Sequence, residues 1–194
     1  MIAKASAVGA HKCEIATSTL VVVDIQQRLG DAMPGKVLNR VLQNTVLLTR
    51  TAGLLQIPVL QTEQYPEGLG VTHAVVSAAL PTGSQSFTKT AFSCAQVTTF
   101  MSALDRAAER RQIILVGMEA HICILQTALD LVMAGFETFV VEDAICSRRL
   151  ENYQNALDRL RDNGVAVVSA ESVVFEWLAD SKHPQFKAIQ TLLR

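Results

Sequence analysis

Apolar and polar positions alternate along this chain in two distinct rhythms. Thr19-Leu20-Val21-Val22-Val23-Asp24 is a near-continuous apolar run that ends in a carboxylate. Runs of that length with no polar alternation predict a strand covered on both faces. After Pro34-Gly35 the rhythm changes: Leu38, Val41, Thr45, Leu48, Ala52 and Leu55 recur at steps of three and four, which predicts an amphipathic helix stopped near Gly53. Pro58 opens a short strand, Val59–Thr62, followed by a polar loop from Glu63 to Gly70 that carries Pro66, Gly68 and Gly70. An extended stretch over Ser84–Phe87 leads into Thr88-Lys89-Thr90. Ser93-Cys94-Ala95-Gln96 has the form of a capping box and predicts a helix reaching about Arg110.

Gln112–Val116 reads as a second buried strand broken by Gly117, with a helix from about His121 to Ala134 stopped by Gly135. Thr138–Val141 is a strand ending at Glu142-Asp143, Asn152–Asn163 a helix, and Ala166–Ser169 the last strand. Glu171–Leu178 and a final helix over Gln185–Leu193 close the chain. Strands alternating with helices through short connections mean βαβ units. The expected fold class is α/β: a three-layer α/β/α sandwich around a mainly parallel, Rossmann-like sheet. Its expected extent is residues 17–194, after a short leader over 1–16. Ligands in such sheets bind beyond the carboxyl ends of the strands, so the residues to weigh are Asp24, Glu63, Lys89, 117–123 and Asp143.

Composition narrows the function. Of 194 residues 49% are hydrophobic and 18% charged, enough apolar material for a large core and too much for a disordered chain. Seventeen Lys+Arg balance eighteen Asp+Glu, so no basic excess draws a phosphate backbone, and 5% aromatics make a poor base-stacking platform. Nucleic acid is therefore not an expected partner. No apolar run approaches membrane-spanning length, and the N-terminus has neither a secretory nor a transit pattern. A cytoplasmic protein is expected. Cys13, Cys94, Cys123 and Cys146 show no C-x-x-C spacing, so free thiols are expected rather than bridges or a zinc site.

Cys123 follows a strand, a glycine and a short turn, at the expected start of a helix. Unpaired N–H groups and a partial positive charge there lower a thiol's pKa and can hold an oxyanion. A small packed cysteine is the plainer alternative. Asp24 at the strand end can serve as general base or merely as a cap. Lys89 can stabilise an anion or merely sit in solvent.

Taken together, three segments resemble the isochorismatase-like hydrolases, the cysteine hydrolases that include nicotinamidases. They are Leu20–Gln26, Thr88–Ser93 and Val116–Cys123. Thr62–Gly70 and His183–Gln190 are similar to the isochorismatase-domain-containing subgroup, and the likeness covers about residues 17 to 194. The resemblance implies a catalytic set of Asp24, Lys89 and Cys123. It also implies a cis peptide at Glu119-Ala120 that aims the N–H groups of Ala120 and Cys123 at one oxyanion. Gln26, Tyr65, Phe92 and His121 are expected to line the substrate pocket. The nicotinamidase metal motif is missing: only Glu63 and a lone His73 stand in that region, so no metal and no cofactor is expected.

The implied activity is hydrolysis of a small amide-like substrate through a covalent thio-intermediate. Two alternatives stand beside it, vinyl ether hydrolysis of the isochorismate type and a non-catalytic binding or scaffold role. A small-molecule substrate and a homo-oligomer, dimer or tetramer, complete the expectation. Cys94 reads as a packing thiol, and Cys146, in a loop after its strand, as a packing thiol or a second reactive one.

Overall fold

The computed structural model describes residues 12–193. Six strands form one parallel sheet: β1 (Ser18–Val23), β2 (Val59–Gln64), β3 (Gln85–Lys89), β4 (Gln112–Met118), β5 (Glu137–Cys146) and β6 (Ala166–Val168). Their order is β3-β2-β1-β4-β5-β6, and every pairing is parallel. The chain order thus reverses direction at β1, and β1 and β4 occupy the centre. Both are buried at every position, which explains their unbroken apolar runs.

Alternate side chains serve opposite faces. Leu20 and Val22 of β1 join Ile114 and Val116 of β4 against α2 (Gly35–Leu54) and α8 (Ala170–Leu178). Val21 and Val23 join Ile113 and Leu115 against α5 (Thr98–Arg106), α6 (Leu125–Met133) and α7 (Leu150–Asp162). These are the three expected layers. Trp177 of α8 is almost fully buried, and its indole N–H donates to Ser18 Oγ at 2.9 Å, tying that layer to the start of β1.

Four shorter helices are α1 (Gln27–Asp31), α3 (Pro66–Leu69), α4 (Ala74–Ser77) and α9 (Phe186–Gln190). The first three were not expected; each has five residues or fewer, too short for a 3.6-residue period to show. The helix expected from Ser93 is split. Ser93 Oγ accepts from Ala95 N and caps a 3₁₀ turn, Cys94–Gln96, and α5 begins only at Thr98.

Residues 1–11 of the expected leader lie outside the described residues. Residues just after them are packed: Cys13 is fully buried and its N–H donates to Glu176, while Gln112 bonds Lys12 O and Glu14 N. Cys146, expected in a loop, is the last residue of β5 and buried. All four cysteines are unbridged. No helix of the described residues is long and apolar enough to cross a membrane.

Candidate active site

The site forms where β1, β2, β3 and β4 end side by side. Gly117 makes the central approach possible. β4 does not break there as expected; it runs on to Met118, with Gly117 opposite Val23 of β1. Gly117 has φ +131°, and a Cβ on it would lie 1.9 Å from the Val23 carbonyl oxygen. Only a residue without a side chain fits. That close pairing brings Asp24, next after Val23, toward the turn that carries Cys123.

Asp24 has φ +50°, a left-handed conformation that Asp tolerates better than most residues, and it is fully buried. Its Oδ1 accepts from Thr62 Oγ1 at 2.7 Å and its Oδ2 from Lys89 Nζ at 2.6 Å. Both side chains of this ion pair are wholly withdrawn from solvent. Lys89 Nζ also donates to Gln64 Oε1 at 2.7 Å and to the carbonyls of Phe92 at 3.0 Å and Ala91 at 3.3 Å. Burial alone lowers the ammonium's pKa, but Asp24 and the two nearby thiols outweigh it and hold it above the ordinary lysine value. The lysine is a permanent cation here.

The Cys123 thiol lies within electrostatic reach of the Asp24 carboxylate and the Lys89 ammonium. It is nearly buried, 6% exposed. Burial first, and the Asp24 carboxylate second, push its pKa well above that of a free thiol, and Lys89 only partly opposes them. This corrects the expected helix-start activation. Cys123 lies in a π-helical turn, Ala120–Ile124, ahead of α6, and burial and the Asp24 carboxylate raise its pKa there. The resting sulfur is therefore a protonated thiol beside the Asp24 carboxylate.

The expected cis bond at Glu119-Ala120 is also corrected: the cis peptide is Met118–Glu119. It lies where the strand ends, since β4 reaches Met118 and the π turn starts at Ala120. The Glu119 carbonyl accepts from Ile122 N at 3.1 Å and Ile124 N at 3.3 Å. Its carboxylate is buried and takes Arg148 N at 2.9 Å and Arg148 Nε at 3.1 Å. Glu119 therefore clamps the β5 exit onto the turn that carries Cys123.

The expected pocket residues fare differently. Gln26 is fully buried, and its carboxamide pairs with the Gln64 backbone, Oε1 accepting from N at 2.8 Å and Nε2 donating to O at 3.0 Å, and also reaches Gly70 O. Those commitments use both its N–H groups and tie its side chain to the end of β2. His121 Nδ1 meets Ser147 Oγ at 2.9 Å and Nε2 meets Asn152 Nδ2 at 3.3 Å. An amide nitrogen can only donate, so Nε2 accepts and Nδ1 carries the proton. His121 thus braces the β5–α7 loop. Phe92 and Tyr65 are both about half exposed. Tyr65 borders an open depression of about 390 Å³ together with Glu67, Lys89, Ala91 and Gln96. The Tyr65 ring lies over Gly68, where a Cβ would come within 2.3 Å of it.

His73 caps α4, accepting from Val75 N, and Glu63 binds Thr72 N and Oγ1. Among the described residues no cluster of three or more His, Cys, Asp or Glu side chains is arranged to hold a metal. Sequence reading missed Thr62 and Gln64, which hold Asp24 and Lys89. Cys94, read as a packing thiol, lies 3.6 Å from Thr62 Oγ1, and burial pushes its pKa up to about 11. The available signal was register: Thr62 and Gln64 are two apart at the end of β2, so both point to the same face as the site.

Comparison with known proteins places this architecture. The isochorismatase domain model matches residues 18–172. Isochorismatase domain-containing protein 2 of Bos taurus is 36% identical over 178 residues, covering 92% of this chain and 83% of that protein. Isochorismatase domain-containing protein 1 of Danio rerio is 38% identical over 179 residues, and the match spans 92% of this chain but only 62% of that longer protein. Among solved structures, the MAR1 ribonuclease of Caenorhabditis elegans superposes with a TM-score of 0.89 at 31% identity, covering 94% of this chain and 92% of that one. The domain match takes in all six strands and the whole cluster around Asp24, Lys89 and Cys123, and on it this chain belongs to the isochorismatase family, with the parallel-sheet α/β fold of that family.

Proposed function

We propose that this protein hydrolyses a small amide-like C–N substrate through a covalent intermediate on Cys123. The observation that carries the reading is the buried Lys89–Asp24 ion pair at 2.6 Å, with the Cys123 thiol near enough to feel both charges. A solvent-free ion pair of this kind is costly to maintain for stability alone.

The protonated resting thiol sets the sequence of events. Asp24 takes the Cys123 proton as the sulfur bonds to the substrate carbon, and the carbonyl π pair moves onto oxygen. The N–H groups of Ala120 and Cys123 hold that oxyanion. The carbonyl re-forms, the C–N bond breaks, and Asp24 passes its proton to the leaving amine. A water then attacks the thioester while Asp24 accepts its proton, and that proton returns to the departing sulfur. Lys89 keeps its proton throughout and stabilises the negative charge from a distance. Tyr65 and Phe92 supply apolar surface at the entrance. No cofactor enters these steps.

The test is a panel of small primary amides incubated with the protein and followed by ammonia release and intact-protein mass. Turnover with an acyl adduct on Cys123, abolished by Cys123→Ala and reduced about 10²–10⁴-fold by Asp24→Asn, supports the reading. Isochorismate and single-stranded RNA belong in the same panel, RNA because of the nematode structure's name. Pyruvate release or RNA cleavage that survives Cys123→Ala refutes the cysteine mechanism.

A further inference from the structure

An ammonium group has three N–H donors, and around Lys89 all of them are engaged. Asp24 Oδ2 at 2.6 Å and Gln64 Oε1 at 2.7 Å each take one, and the Phe92 and Ala91 carbonyls share the third. No N–H is left for the Cys123 sulfur or for an oxyanion. The one neutral side chain in this set is Gln64. Its orientation is determined independently of the lysine: Nε2 donates to Thr90 O at 2.7 Å, which turns Oε1 toward the ammonium. Its backbone is held in turn by the Gln26 carboxamide.

We propose that Gln64 is a positioning residue that holds the Lys89 ammonium on Asp24 and keeps its remaining N–H away from the Cys123 sulfur. This rests on Cys123 being the nucleophile. The consequence is a thiol that stays mostly protonated until a substrate arrives and reacts slowly, though measurably, with adventitious electrophiles. The charged and titratable groups that face this point are Asp24 from the end of β1, Lys89 from β3, Cys94 from the 3₁₀ turn and Cys123 from the π turn. Gln64 from β2 adds the negative end of a dipole and no charge.

Two substitutions push the sulfur in opposite directions. Gln64→Met keeps the volume, removes the dipole and frees one N–H to turn toward sulfur. Gln64→Glu keeps the acceptor and adds a negative charge beside the ammonium, drawing it further from sulfur. The readout is the rate of Cys123 carbamidomethylation by iodoacetamide between pH 7 and 9, resolved by peptide mass spectrometry. Below the thiol's pKa that rate follows the thiolate fraction. The expected result is a rate about threefold or more above wild type for Gln64→Met and about tenfold below it for Gln64→Glu.

A merely structural glutamine loosens the site in both variants, and both rates then rise; that result, or two unchanged rates, overturns the proposal and leaves the nucleophile reading intact. If Gln64→Met does not fold, Gln64→Glu decides alone, since a rate at or above wild type overturns it. If wild-type Cys123 is never labelled while the urea-unfolded chain is, the nucleophile reading fails and this inference falls with it.

Discussion

Removing the charge of Lys89 is the most informative perturbation of stability. At 2.6 Å the Lys89–Asp24 attraction is about 6 kcal/mol for an effective dielectric constant of about 20. Desolvation of both groups offsets much of it, so the pair's net worth is small while the cost of orphaning one partner is large. Lys89→Met leaves the Asp24 carboxylate buried with Thr62 Oγ1 as its neutral side-chain donor. The expected loss is about 3–5 kcal/mol, a large part of a typical domain's total of about 5–15. Asp24→Asn costs less, about 2–3 kcal/mol, because Gln64 and two carbonyls still receive the ammonium. The double variant removes both charges and should cost at least about 2 kcal/mol less than the two losses added together. Urea unfolding monitored by Trp177, the single buried tryptophan, supplies all four values, with equal slopes required for the comparison. A coupling below about 0.5 kcal/mol would show that the two groups do not depend on each other and would refute the argument.

Gly117→Ala should lose about 4 kcal/mol or more, since the new Cβ meets backbone at 1.9 Å and nothing there can rotate away; thermal unfolding checks it, and a shift of a degree or two contradicts it. Stability should also fall at alkaline pH. Every cysteine has a folded-state pKa raised above 9.0, to about 11 at Cys94, about 12 at Cys146 and higher still at Cys13 and Cys123. A raised folded pKa stabilises below the unfolded value and the contribution is lost as pH rises, so urea midpoints should hold to about pH 8 and decline above 9. Each thiol can add about 1.4 kcal/mol per pH unit there, and a flat profile to pH 10 in a cysteine-blocked-free sample contradicts the burial assigned to them. Trp177→Phe should cost about 1–3 kcal/mol by leaving the buried Ser18 hydroxyl without its indole donor, measured by urea unfolding followed by far-UV circular dichroism because the substitution removes the only tryptophan.

How much of this was legible in the chain follows from the length scale of each cause. The α/β class and the central strands could be read because β1 and β4, buried on both faces, are apolar at almost every step. The long helices could be read because their periods repeat several times, as in α2 over twenty residues. Asp24, Lys89 and Cys123 were picked out as strand-end residues in segments resembling a known family. Three-dimensional contacts decided the rest. A one-dimensional pattern treats Gly117 as a stop, whereas the approach of Val23, 94 positions earlier, makes it the residue that lets the strand continue. Helix-start position suggested an activated thiol, but desolvation and the carboxylate delivered by β1 raise its pKa instead. The family resemblance points to Gln26 as a pocket residue, whereas the end of β2 engages both ends of its amide. Local periodicity records which face a residue takes, because that depends on the chain's own geometry. Which polar atoms meet at the sheet's edge depends on strand order and register, and only the folded chain brings those partners within hydrogen-bond range.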